Sequence, residues 1–135
     1  MRIFLDANVL FSAAKSDGAI RELVDLPISK DHECVADAFV IEEARRNLAA
    51  KYPQRLDSLG ALLHRVSVVG VSRWDLAISK KLPLPEKDQP VLASAIGLDC
   101  DVLLTGDRTH FGPLYGRTFQ GVAVHSPKTL AELLT

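Results

Sequence analysis

Four acidic residues carry the chemical content of this chain: Asp6, Glu43, Asp88 and Asp107. They are far apart in sequence, yet each sits at the end or start of a well-formed local pattern. Asp6 closes the apolar run Ile3-Phe4-Leu5, and Asp107 follows Val102-Leu103-Leu104-Thr105-Gly106. Glu43 lies in a helical pattern that opens at Asp37, and Asp88 opens another that runs to Leu98. Carboxylates brought together from separate elements repel one another unless a hard cation neutralises them. The set therefore reads as a metal site, and the chemistry it best suits is phosphodiester hydrolysis.

Taken singly, each acid has a plainer role. Asp6 and Asp88 are both good N-caps, and a helix N-terminus accumulates negative charge at little cost. Asn8 could cap the same helix as Asp6 and hold its carboxylate. On the acidic helix, Glu42 has Arg46 four residues later, the favoured orientation for a surface ion pair. Glu43 has Phe39 and Val40 one turn before it and Asn47 one turn after. Glu43 is therefore expected as the buried ligand and Glu42 in solvent. Thr105 adds a hydroxyl at the edge that carries Asp107, Gly106 permits a close approach, and Arg108 stands where it could meet phosphate. His110 is near Asp107, with a surface position the plainer reading. His32, His64 and His125 have no partners at metal-ligand spacing.

These residues need a scaffold, and the periodicities supply one. Strands are expected at Met1 to Leu5, His32 to Ala36, Val66 to Val69, Asp101 to Leu104 and Val122 to Val124. Helices are expected between them: Val9 to Ala14, Ala19 to Leu26 (stopped by Pro27), Asp37 to Lys51, Pro53 to Leu63, Arg73 to Lys80, Asp88 to Leu98, and Pro127 to Leu134. Leu82-Pro83-Leu84-Pro85 is expected as an exposed connection. The alternation of strands with helices predicts a central parallel sheet with helices on both faces, a three-layer α/β/α sandwich. Sites in open parallel sheets form outside the carboxyl ends of the strands. Asp6 and Asp107 both occupy such ends, which is the reason to group them.

The length of 135 residues fits a single domain, 1–135, with one core. No apolar run reaches the roughly 18 residues needed to span a bilayer, so no membrane association is expected. Met1-Arg2 leads directly into a strand without a secretory pattern, and the cytoplasm is the expected compartment. Cys34 and Cys100 lack metal-like spacing and read as packing residues. A net charge of −1 argues against wrapping nucleic acid by bulk charge. It leaves room for a local basic rim, for which Arg45, Arg46, Lys80, Lys81, Lys87 and Arg108 are the candidates.

With these residues in view, the chain resembles the PIN-domain nucleases. Arg2-Ile3-Phe4-Leu5-Asp6-Ala7-Asn8-Val9-Leu10 resembles their first motif, a strand ending in Asp-x-Asn. Ile41 to Leu48, Lys87 to Ala95 and Leu103 to Arg108 resemble the second, third and fourth, in the family's order. Ala7 stands where Thr or Ser is common. The resemblance implies a Mg²⁺- or Mn²⁺-dependent endoribonuclease, with Asp6, Glu43, Asp88 and Asp107 as metal ligands and Asn8, Thr105 and Arg108 orienting ligands or substrate. It also implies an RNA substrate and, for small members of this kind, the toxin role in a toxin–antitoxin pair, a protein antitoxin as partner and a homodimer. Two other readings compete. One is a non-catalytic PIN-like module that binds RNA or acts as a scaffold. The other is a phosphatase with a nucleophilic strand-end Asp, which the haloacid-dehalogenase type would follow with a second Asp where this chain has Asn8.

Overall fold

The computed structural model describes residues 1–70 and 80–135. Strand β1 (Arg2–Leu5) is buried at Ile3, Phe4 and Leu5, which have no exposed surface, so it must lie inside the sheet. It pairs in parallel with β2 (Glu33–Asp37) on one side and β4 (Val102–Leu104) on the other. Beyond β2 lies β3 (Ser67–Val69), and beyond β4 lies β6 (Val122–His125), both parallel. A short strand β5 (Thr118–Phe119) closes the far edge antiparallel to β6, giving the order β3-β2-β1-β4-β6-β5.

That order reverses direction once. From β1 the chain moves outward through β2 and β3, then returns to lay β4 against the other side of β1. The boundary between β1 and β4 is the topological switch point, where open parallel sheets leave a crevice beyond their carboxyl ends. The register places Leu5 beside Leu104, so the next residues, Asp6 and Thr105, emerge side by side at that crevice.

Helices flank the sheet, as expected for the α/β/α sandwich: α1 (Ala7–Lys15), α2 (Ala19–Ser29), α3 (Ala38–Lys51), α4 (Leu56–Leu63), α5 (Gln89–Gly97) and α6 (Pro127–Leu134). Their apolar stripes meet the strands in one core that includes Leu10, Leu48, Leu62, Leu92 and Leu130. Ser126 and Thr129 form a reciprocal capping box at the start of α6, satisfying two backbone N–H groups of its first turn.

Several local expectations shift. Pro27 does not stop α2; the helix runs on to Ser29 with Pro27 buried inside it. A proline removes one backbone donor, and its burial against the core holds the next turn in place. The segment from Pro53 begins with a 3₁₀ turn (Pro53–Arg55) before α4. Strand β5 was not anticipated. It is two residues long and joins β6 through Gln120 and Gly121, both with positive φ (50° and 87°), as two-residue hairpin loops require. The helix expected from Arg73 to Lys80 lies, apart from Lys80, outside the described residues. Cys34 and Cys100 are buried free thiols, and burial pushes them up to about 12 and about 11, so both are inert packing residues.

Candidate functional site

The switch-point crevice opens into a cavity of about 490 Å³ lined by Asp6, Glu43, Asp88 and Asp107 together. Four separate elements deliver them. Asp6 comes from the end of β1, Glu43 from α3, Asp88 from the residue before α5, and Asp107 from the turn after β4.

Asp6 is the most tightly held. It is 5% exposed. One carboxylate oxygen accepts the Ala7 N–H at 2.7 Å, which caps α1. The other accepts the Thr105 hydroxyl at 2.8 Å and the Asn8 side-chain N–H at 3.1 Å. Asn8 in turn accepts the Gly106 N–H at 2.8 Å, so it bridges the two strand ends. A Cβ on residue 106 would lie 3.3 Å from the same Asn8 oxygen, so a side chain there would press on this bridge. Tyr115 completes the support by donating to the Thr105 carbonyl at 3.0 Å. Burial pushes the Asp6 carboxyl up to about 6, the nearby Glu43 charge adds to this, and the hydrogen bonds from Thr105, Ala7 and Asn8 oppose it. A carboxylate held in this state is short of positive charge.

Glu43 departs from its expected burial. Helix α3 turns Val40, Ile41, Ala44 and Leu48 into the core, and Glu43 lies beside that stripe, exposed but facing the cavity. Phe39, Asn47 and Lys51 line the cavity as well, each four residues from the next in a row that includes Glu43. Glu42 is exposed, as expected, but its ion pair is with Arg45 at 3.2 Å and not with Arg46.

Asp88 precedes α5, yet its side chain makes no capping hydrogen bond. Its Oδ2 is buried and has no hydrogen-bond partner. Asp107 accepts the backbone N–H groups of Thr109 and His110 on Oδ1, at 3.1 and 3.2 Å, and is thereby fixed in its turn. Its Oδ2 lies 3.0 Å from His110 Nδ1, and Asp88 Oδ2 lies 3.1 Å from the same nitrogen. Only the Asp107 contact has the geometry of a hydrogen bond, formed in the tautomer that carries its proton on Nδ1. Asp88 Oδ2 is left without a hydrogen-bond partner. His110 is thus a cavity residue, where a surface position had been the plainer reading.

The basic residues of the cavity are Lys51 and Lys87. Lys51 was not anticipated; extending the four-residue spacing of α3 by one more turn would have found it. Arg108 is exposed and is not among the lining residues, and neither are Arg45, Arg46, Lys80 or Lys81. A further strand-end acid, Asp37, is fully buried and caps α3 through the Val40 N–H at 3.0 Å, but it does not line the cavity.

The PIN domain family model matches residues 2–109, a span that runs from the first strand through Asp107. The chain belongs to the PIN domain family. No curated protein matches it. Among solved structures, this PIN domain is similar to a chain of VapBC2 from Rickettsia felis bound to a DNA fragment from their promoter, with 16% identity, a TM-score of 0.70, and 93% of this chain and 98% of that one covered. It is also similar to a chain of DNA-bound VapBC from Salmonella typhimurium, with 16% identity, a TM-score of 0.68, and coverage of 94% and 98%. A chain of VapBC-1 from nontypeable Haemophilus influenzae gives 16% identity, a TM-score of 0.66, and coverage of 95% and 99%. At that identity these likenesses carry the fold, along nearly the whole length of each chain. Among the described residues, no helix is long and apolar enough to cross a membrane.

Proposed function

We propose that this PIN domain is a divalent-metal-dependent endoribonuclease and the toxin of a toxin–antitoxin pair. The observation that carries the reading is the meeting of Asp6, Glu43, Asp88 and Asp107 around one cavity, with an unsatisfied Asp88 oxygen and an Asp6 carboxyl raised to about 6. This excess of acceptors over donors fits a hard cation such as Mg²⁺ or Mn²⁺.

In this reading the four carboxylates are the ligands. Bound there, the cation would supply charge stabilisation for the phosphate and lower the pKa of an attacking water. Thr105 and Asn8 fix the direction of the Asp6 carboxylate, and the Asp107 turn fixes its own. Lys51 and Lys87 attract the phosphate backbone, while Phe39, 42% exposed at the rim, offers a face to a base. Arg108, exposed beyond the lining, would contact only flanking phosphates. Attack by water in line with the leaving group yields 5′-phosphate and 3′-hydroxyl ends. End-group analysis of cleaved RNA tests this: 2′,3′-cyclic phosphate products would contradict it.

The likeness to the VapBC structures supports a protein antitoxin as partner. We infer a cytoplasmic homodimer, acting where its RNA is. Expression alone should arrest growth, and co-expression of the adjacent reading frame should relieve the arrest. A non-catalytic RNA-binding module is the second reading, and the complete acidic set weighs against it, since binding alone gains nothing from carboxylates facing phosphate.

A further inference from the structure

Residues 107–111 form a turn held by hydrogen bonds to Asp107. The Phe111 N–H donates to the Asp107 carbonyl at 3.1 Å, and the Phe111 ring is buried in the core. His110, between these anchors, is therefore held with its ring against the carboxylates. The Nδ1 of His110 and one oxygen each from Asp88 and Asp107 all lie within 4.8 Å of one another. No other such group occurs among the described residues, and Asp6 stands outside it with its carboxylate already accepting three donors.

The two separations from Nδ1 are compatible with ligands around a cation. Bonds of about 2.1 Å at right angles separate neighbouring donor atoms by about 3.0 Å. The observed separations from Nδ1 are 3.0 Å to Asp107 and 3.1 Å to Asp88. A hydrogen bond explains the first but leaves the second without a proton. A cation in place of that proton would satisfy all three atoms at once.

We propose that His110 is a direct nitrogen ligand in this site, so that Asp88, Asp107 and His110 form a mixed oxygen–nitrogen corner for the cation. The inference rests on the metal-dependent reading above and deepens it. Imidazole favours Zn²⁺, Co²⁺ and Ni²⁺, whereas Mg²⁺ is served by oxygen. The corner therefore gives the site a stronger preference for the nitrogen-tolerant metals than an all-carboxylate site would have. His110 is the residue that sets it.

Binding of Zn²⁺ and of Mg²⁺ is measured by calorimetry on the full-length wild type, His110→Asn and Asp88→Asn. In parallel, the ring ¹⁵N resonances of the wild type are followed during Zn²⁺ titration, with the His110 ring assigned through its couplings to its own backbone resonances. The expected result is a saturable shift of His110 Nδ1 with Zn²⁺, and a loss of roughly tenfold or more in Zn²⁺ affinity in His110→Asn, with Mg²⁺ affinity nearly unchanged. Asp88→Asn should weaken both metals. If Zn²⁺ binds the wild type without moving the His110 ring nitrogen, the ligand role is overturned, although the metal site stands. If neither metal binds the wild type, the metal-dependent reading itself falls. The wild-type resonance decides the ligand role even if His110→Asn does not fold.

Discussion

Thr105 donates its hydroxyl to the Asp6 carboxylate at 2.8 Å, joining residues 99 apart in sequence across the β1–β4 boundary. The bond lies at the switch point of the sheet, beside the Asn8 bridge between the same two strand ends. It connects the fold to the site: the register that pairs Leu5 with Leu104 also aligns this donor with this acceptor.

Removing the donor while keeping the shape should weaken both. Thr105→Val leaves a buried carboxylate oxygen with Asn8 as its remaining donor, at a cost of about 1–3 kcal/mol at neutral pH. The Asp6 carboxyl should then titrate above its present value of about 6. Chemical denaturation and the carboxyl ¹³C titration curve check the two effects.

Neutralising Asp6 itself should act in the opposite direction. Its pKa is raised from 3.8 to about 6 in the folded chain, mainly by burial. A raised acid binds more protons folded than unfolded. Its favourable contribution is therefore present below about pH 4 and is lost as pH rises through about 6. Above that, the ionised group costs on the order of 3 kcal/mol net, with the opposing hydrogen bonds from Thr105, Ala7 and Asn8 already included. Asp6→Asn, in chelator, should match or exceed wild-type stability at pH 8 and lose that advantage near pH 4. Melting curves across pH decide this; a variant that melts lower than wild type at pH 8 would mark Asp6 as a plain helix cap.

The acids should differ sharply from their neighbours in activity. Asp6→Asn, Glu43→Gln, Asp88→Asn and Asp107→Asn should each lose at least ~100-fold in RNA cleavage rate. Glu42→Gln should stay near wild type, because Glu42 pairs with Arg45 away from the cavity. Single-turnover rates on one RNA substrate make the comparison, and an inactive Glu42→Gln beside an active Glu43→Gln would reverse the assignment of the α3 face.

Much of this arrangement was legible in the sequence. Asp6 and Asp107 could be grouped because each ends an apolar run, and strand ends on one side of a parallel sheet share an edge. Glu43 was separable from Glu42 by helix periodicity, although that periodicity suggested burial where the structure has a solvent-facing cavity wall. The contact between His110 and Asp88 was not legible, because it depends on where the 107–111 turn lies against the start of α5. Strand β5 escaped notice because two residues carry no periodicity. Arg108 was chosen by nearness in sequence to Asp107, yet the turn directs it outward, and Lys51 reaches the cavity from the end of a helix.

That difference gives a test of substrate binding. Lys51→Ala and Lys87→Ala should each weaken RNA binding and reduce its salt dependence by roughly one phosphate contact, whereas Arg108→Ala should have the smaller effect. Binding isotherms at several salt concentrations, with catalysis blocked by Asp88→Asn, report the slopes. Equal slopes in all variants would place the lysines away from the RNA path.

The most direct test is RNA cleavage by the purified protein with Mn²⁺, with excess chelator, and with Mn²⁺ restored. The four-carboxylate site predicts cleavage with the metal, none in chelator, recovery on restoration, and none at any stage for Asp88→Asn. Cleavage that continues undiminished in chelator, or that survives in Asp88→Asn, would contradict it.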